Sequence, residues 1–186
     1  MFESNVWVEP DMEIDVVHDG RHKLPDVAMG RESIPYIVVL PEHQIAFFTY
    51  TWVSKDSVAG AALAVFGPGV GGDPIQQRLA DRPVSPDMGF DDWRIEGFTM
   101  QQDLKFGSAH LRWETPEATV DFEFTAFHPP YAYGSDPRGC PAYCATDRIE
   151  QAGRVKGTLR MGEKVIEFDA TGHRDHSWGT RDWVPF

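Results

Sequence analysis

The stretch ATVDFEFTAF alternates strictly: Val120, Phe122, Phe124 and Ala126 stand two apart, with Asp121, Glu123 and Thr125 between them. Successive side chains of an extended chain point to opposite faces, so this period of two predicts a strand with one face buried and one in water. Comparable runs recur at intervals of roughly 8–12 residues, the spacing of short antiparallel strands. They are SIPYIVVL, QIAFFTYTWV, AALAVF, WRIEGFTMQQDL, SAHLRWE with Ala109, Leu111 and Trp113 on one face, and the pair RVKGTLR and KVIEFDA. Turn signals separate them: PEHQ after the first, Thr115-Pro116-Glu117-Ala118, and Met161-Gly162-Glu163, where glycine supplies a positive φ. No long helical period competes. The pattern predicts an all-β fold, an antiparallel barrel or a barrel-like sandwich. Two segments read differently. Residues 1–32 are polar and irregular, with a short strand at Ile14–Val17, and DPIQQRLA suits two turns of helix, Asp73 capping and Pro74 at the first helical position.

Composition narrows the partners. The chain has 186 residues, expected to form one domain over 1–186, and its 41% apolar content can sustain a core. Its net charge of −12 disfavours nucleic acid and anionic membrane surfaces. Arg154, Lys156 and Arg160 alternate along one strand face as solvated charges. The opening MFESNVWVEPDMEIDVV has neither the basic nor the apolar region of a signal peptide, and no apolar run approaches the ~18 residues of a membrane span. A cytoplasmic location is expected, with Cys140 and Cys144 as reduced loop thiols. Gly67-Pro-Gly-Val-Gly-Gly72 matches the glycine pattern of dinucleotide sites. The sequence DRPVSPDMGFDDW beyond it cannot be the second buried parallel strand such a site requires, so it reads as a connection.

The chemistry concentrates in TGHRDHSWGTRDW, residues 171–183. Extended backbone would put Arg174, His176 and Trp178 on one face and His173, Asp175 and Ser177 on the other. A turn at Gly179 would bring Asp182 and Trp183 back near His176. An imidazole beside carboxylates is a tunable acid or base, and an indole wall can stabilise a nearby cation through its π face. Protonation of an unactivated alkene needs that combination. A metal centre at His173-x-x-His176 with Asp175 is disfavoured, because on a strand the two rings face opposite ways. The alternative reading is architectural, with Arg–Asp pairs and two Trp fixing a strand end. His18, His22 and His43 read as solvated turn residues, His128 as a loop residue, and His110 as facing solvent. Trp52, Trp93 and Trp113 read as core or pocket lining.

GHRDHSWGTRDW, with DRIEQAGRVKGTLRMGEKVIEFDATG before it, resembles the signature of the lipocalin-like superfamily that contains carotenoid hydratase (hydroxyneurosporene synthase) and the AttH-like proteins. The resemblance implies a lipocalin-like β-barrel with an apolar cavity, and hydrophobic substrates of isoprenoid or polycyclic type. It also implies cofactor-independent addition or removal of water, with no metal. His176 and Trp178 match the implicated His and Trp, while Asp175 and Asp182 match motif positions whose roles are inferred. Trp183, His173 and Arg174 would contact substrate. Family chains are about twice as long, with two barrels in tandem. This chain would correspond to the N-terminal half, and a missing second half or a homo-oligomer would be its partner. The competing function is a non-catalytic barrel that binds a hydrophobic small molecule.

Overall fold

The computed structural model describes residues 14–135, 138–141 and 143–181. Among these described residues, eleven strands share one antiparallel sheet. They are β1 (Gly30–Leu40), β2 (Ile45–Ser54), β3 (Val58–Phe66), β4 (Ile75–Pro83), β5 (Trp93–Ile95), β6 (Phe98–Gln102), β7 (Ser108–Glu114), β8 (Ala118–Ala126), β9 (Tyr131–Ala132), β10 (Asp147–Met161) and β11 (Lys164–Thr180). Ten follow the order β4-β3-β2-β1-β11-β10-β8-β7-β6-β5, and β9 adds to β10. The sheet curls into a nearly closed barrel, as the period-two runs predict. Its two ends approach each other where Arg82 of β4 reaches Glu96 in the β5–β6 turn. Trp93 Nε1 of β5 also donates to Thr51 Oγ1 of β2 at 2.8 Å.

The inward faces carry the core. Tyr36 meets Phe122 and Phe124 edge-on, and Phe47 packs against Phe122 and Phe168. Trp93 and Trp113 are buried, whereas Trp52 lies half-buried on the outer face between Arg31 and Arg78. Ala109, Leu111 and Trp113 point inward as their spacing requires, and His110 is exposed, bonded to Asp121. Gly153 of β10 stands opposite Gly172 of β11, and a Cβ on Gly153 would lie 2.5 Å from the Phe124 ring. The missing side chain is what lets that ring pack flat against the strand.

Four local expectations change. DPIQQRLA is not helical: residues 75–83 form β4, because pairing with β3 satisfies their backbone and outweighs the local cap. WRIEGFTMQQDL divides into β5 and β6, since Glu96 adopts φ 48° and turns the chain at Glu96-Gly97. Ile14–Val17 is not a strand: a 3₁₀ turn spans Val16–Asp19, capped by the Asp15 carboxylate on the Val17 N–H. Finally, β11 does not end at KVIEFDA but runs on through the His/Asp/Trp cluster to Thr180.

The β1–β11 seam joins the two halves of the sheet. Its pairing runs from Gly30↔Thr180 to Ser33↔Ser177, lapses, and resumes at Tyr36↔Arg174. The lapse contains Pro35, which has no N–H to donate. At this end of the barrel the segment 14–29 folds over the opening as a strap. Its anchor is Asp19, fully buried, which takes a 2.9 Å ion pair from Arg174 Nη1 and the Phe106 N–H at 2.8 Å. Gln102 Nε2 donates to the Asp19 carbonyl, and Gln102 Oε1 and Gln151 Oε1 accept from the same guanidinium at 3.1 and 2.9 Å. A buried charge left alone costs far more than the pair gains, so each partner depends on the other. Arg174→Met is therefore expected to lower stability by about 3–5 kcal/mol in urea unfolding, and Asp19→Asn combined with it to recover part of the loss. Equal and additive effects of the two substitutions would contradict this coupling.

Candidate active site

On β11 the alternation places Arg174, His176 and Trp178 inward. Register sets them beside Tyr36, Ile34 and Glu32 of β1 and beside Gln151, Ile149 and Asp147 of β10. Glu32 faces Trp178 directly and reaches His176 on the diagonal. His176 Nε2 lies 2.7 Å from Glu32 Oε1, and both side chains are completely buried. The strap brings a second imidazole to the same oxygen: His22 Nδ1 is 2.7 Å from Glu32 Oε1, and the His22 N–H also donates to the carboxylate. His18 Nδ1 stands 3.0 Å from His22 Nε2. A continuous hydrogen-bonded chain, His18–His22–Glu32–His176, thus runs from the strap into the barrel.

Aromatic rings frame this chain. The His22 ring stacks on Trp178 at 3.7 Å between centroids, and His18 is parallel to the same indole at 5.7 Å. Phe90 meets His176 edge-on at 5.5 Å. Burial pushes the Glu32 carboxyl up, but the hydrogen bonds and charges of His176 and His22 outweigh it and hold it below the ordinary carboxylate range. Burial holds His176 below the usual imidazole value against the pull of Glu32. The two directions agree on one state, a carboxylate accepting from a neutral ring. His176 Nε2 then carries the proton, and Nδ1 is a bare lone pair with no hydrogen-bond partner among the described residues. Trp178 Nε1 likewise has none there.

His176 has 0% exposure and Trp178 2%, so no water-sized space adjoins the imidazole. The pair faces the barrel interior, yet it meets packed side chains and the strap rather than the open cavity that the family resemblance implied. The nearby opening is a surface cleft of about 560 Å³ bordered by Arg21, His22, Leu24, Lys55, Ser57 and Met88. His22 links this cleft to the buried carboxylate.

The outer face of β11 holds a separate polar group. Asp175 pairs with Arg148 at 2.8 Å, and His173 lies 3.6 Å from Glu150, which also accepts from Tyr133. The carboxylate beside His176 is therefore Glu32, not Asp175: one residue along a strand is the opposite face. Neither His173 nor Arg174 reaches the cleft; His173 is outside the barrel and Arg174 is enclosed by Asp19 and the two glutamines. His173 and His176 diverge, as expected for H-x-x-H on a strand. Asp182 and Trp183 lie outside the described residues. Arg181 donates to Ser33, Ser177 and the Cys144 carbonyl, tying Cys144 to the seam.

The residues that sequence reasoning missed are Glu32, His22 and His18. Extending the inward positions Leu40, Val38, Tyr36 and Ile34 back by two places Glu32 inside, a signal available in the alternation. His18 and His22 offered only their spacing of four in a polar stretch.

A family model described as a domain of unknown function, DUF7064, matches residues 15–186. No curated protein matches the chain. Among solved structures, similar ones are a protein provisionally described as AttH from Nitrosomonas europaea (TM-score 0.68, 15% identity, 96% of this chain and 59% of that one), CghA (0.57, 14%, 83% and 47%), and kievitone hydratase from Nectria haematococca (0.55, 10%, 95% and 56%). At these identities the likeness is one of fold, a curled antiparallel β-barrel, and the chain spans about half the length of the structures it resembles.

Both cysteines are free thiols, and burial beside Cys144 pushes the Cys140 thiol up to about 11. Alkylation of Cys140 in a Cys144→Ser background is expected to be slow at pH 8 and still climbing beyond about pH 10, read by mass spectrometry. A rate that levels off by about pH 9.5, as for a free thiol with a pKa of about 8.5, would place the thiol in open solvent instead.

Proposed function

The chain belongs to the DUF7064 family, a domain of unknown function, and we propose that it serves as a hydratase- or dehydratase-type acid–base unit for a hydrophobic small molecule, without a cofactor. The observation that carries this reading is one buried carboxylate oxygen shared by two imidazoles at 2.7 Å, one inside the barrel and one bordering a cleft. The fold likeness to a protein named kievitone hydratase supports the same class of reaction.

In this proposal His176 Nδ1 is the working atom. Protonated, it delivers H⁺ to one alkene carbon; the neighbouring carbon becomes cationic beside the Trp178 face; one water adds, and its surplus proton returns to Nδ1. The sum is alkene plus water to alcohol, and reversal gives dehydration. Glu32 stabilises the imidazolium while it exists, and His22 and His18 connect it to solvent for reloading. Substrate enters where the strap now covers His176, so opening of residues 14–29 precedes chemistry. Isoprenoid or polycyclic hydrocarbons suit the Trp178 and Phe90 walls. A second barrel, supplied by further chain or by another copy, would complete the binding space, in keeping with the greater length of the similar structures.

The test is turnover of terpenoid and polycyclic alkenes and tertiary alcohols, followed by gain or loss of the mass of one water. Glu32→Gln and His176→Gln are expected to lose about 10²–10⁴ in rate, and His173→Ala to keep it. Full turnover by Glu32→Gln would end the proposal. A ligand that raises the melting temperature without any mass change would mark a binding protein instead.

A further inference from the structure

We propose that His22, Glu32 and His176 also form a binding site for one divalent transition-metal ion of the zinc type, and that the ion and the proton chain are alternative occupants of the same three side chains. The donors are His22 Nδ1, Glu32 Oε1 and His176 Nε2, and all three lie within 4.8 Å of one another. They come from three separate segments, the strap, β1 and β11, so their convergence is not a by-product of one local turn. Two imidazoles and a carboxylate with one side left open are a common zinc donor set, the open side taking water. Here that side is at His22, which borders the cleft, while Glu32 and His176 are sealed from solvent.

The distances allow the exchange. Each imidazole nitrogen is now 2.7 Å from the shared oxygen, the length of a hydrogen bond. Ligands around tetrahedral zinc stand about 3.3 Å apart, from bonds of ~2.0–2.1 Å. The two imidazole nitrogens therefore need to separate from Glu32 Oε1 by about half an ångström, a move that falls chiefly to His22. His22 sits in a stretch without helix or strand, so it can make that move without disturbing the barrel ladder. An outer shell is already present. When His22 Nδ1 binds metal, its Nε2 carries the proton and donates to His18 Nδ1, now 3.0 Å away. The His22 N–H holds the second carboxylate oxygen at 3.0 Å and fixes its orientation. For His176 the proton moves to Nδ1, which has no other partner among the described residues.

The consequence for activity rests on the acid–base reading above. A metal takes the lone pairs and the carboxylate charge that proton transfer at His176 uses, so the occupied site is silent until the ion is removed.

Zn²⁺ itself is the probe, titrated into the chelator-stripped 186-residue chain by calorimetry and equilibrium dialysis. The expected result is one ion per chain with micromolar or tighter affinity. Substitution of one ligand should weaken it at least tenfold. His22→Ala is the first variant, because the residue lies on the strap and its loss leaves the barrel core intact; Glu32→Gln is the second. Cys140→Ser with Cys144→Ser, and His173→Ala, should bind as wild type does. Co²⁺ in place of Zn²⁺ should give the intense visible bands of a four-coordinate ion, lost in His22→Ala. No stoichiometric binding, or binding kept by His22→Ala and abolished by the cysteine pair, overturns the site. These readouts need no substrate, so they decide the metal site even where no hydration is found. With turnover in hand, Zn²⁺ should stop it and chelator restore it; full activity with the ion bound overturns the exclusive occupancy.

Discussion

Two of the buried charges govern this structure: the Arg174 guanidinium and the Glu32 carboxylate, at 2% and 0% exposure. An unpaired charge in that setting would cost several kcal/mol, so each requires partners of fixed geometry. Neither finds enough of them on its neighbouring strands. The strap supplies the remainder, Asp19 to Arg174 and His22 to Glu32, and those two anchors stand only three positions apart in the sequence. Closure of the barrel end and assembly of the imidazole–carboxylate chain are thus one event. The 3₁₀ turn at Val16–Asp19 is short and owes little to intrinsic helix stability; the buried ion pair fixes it.

This coupling explains the division of labour across β11. Its inner row of Arg174, His176 and Trp178 faces two different networks in sequence, the Asp19–Gln102–Gln151 cluster and the Glu32–His22–His18 chain. Its outer row faces a third, Arg148–Asp175 with Glu150, next to Tyr133. This stretch of the strand is covered on both sides, so its charged residues require partners on both faces. That also accounts for a buried run from Arg174 to Gly179 where an alternating pattern would normally appear. Pro35 sits opposite this run, and the interrupted ladder there leaves the seam held by side chains as well as backbone.

The parts of the fold that could be read in advance are those where local alternation and burial agree. ATVDFEFTAF and SAHLRWE became β8 and β7 with the inward faces their spacing dictates. DPIQQRLA failed because its cap and proline are local preferences worth a fraction of the pairing that β3 offers. Within the cluster, the split between the His176 face and the Asp175 face was legible, since two-residue periodicity needs no partner to be known. The identity of the carboxylate was not: sequence proximity favoured Asp175, whereas the group in contact is Glu32, 144 residues away.

By itself, then, the sequence determined an antiparallel all-β fold, barrel or sandwich, and set His176 and Trp178 on one face of their strand and His173 and Asp175 on the other, because side-chain alternation is a property of extended backbone alone. Tertiary structure decided which groups those side chains meet. Pairing β1 with β11 brings Glu32 to His176, and only the docking of the strap against Arg174 turns two histidines from a polar, turn-like stretch into partners of that carboxylate. Hydrogen bonds and ion pairs act over a few ångströms, and such proximity between distant segments exists only once the sheet has closed.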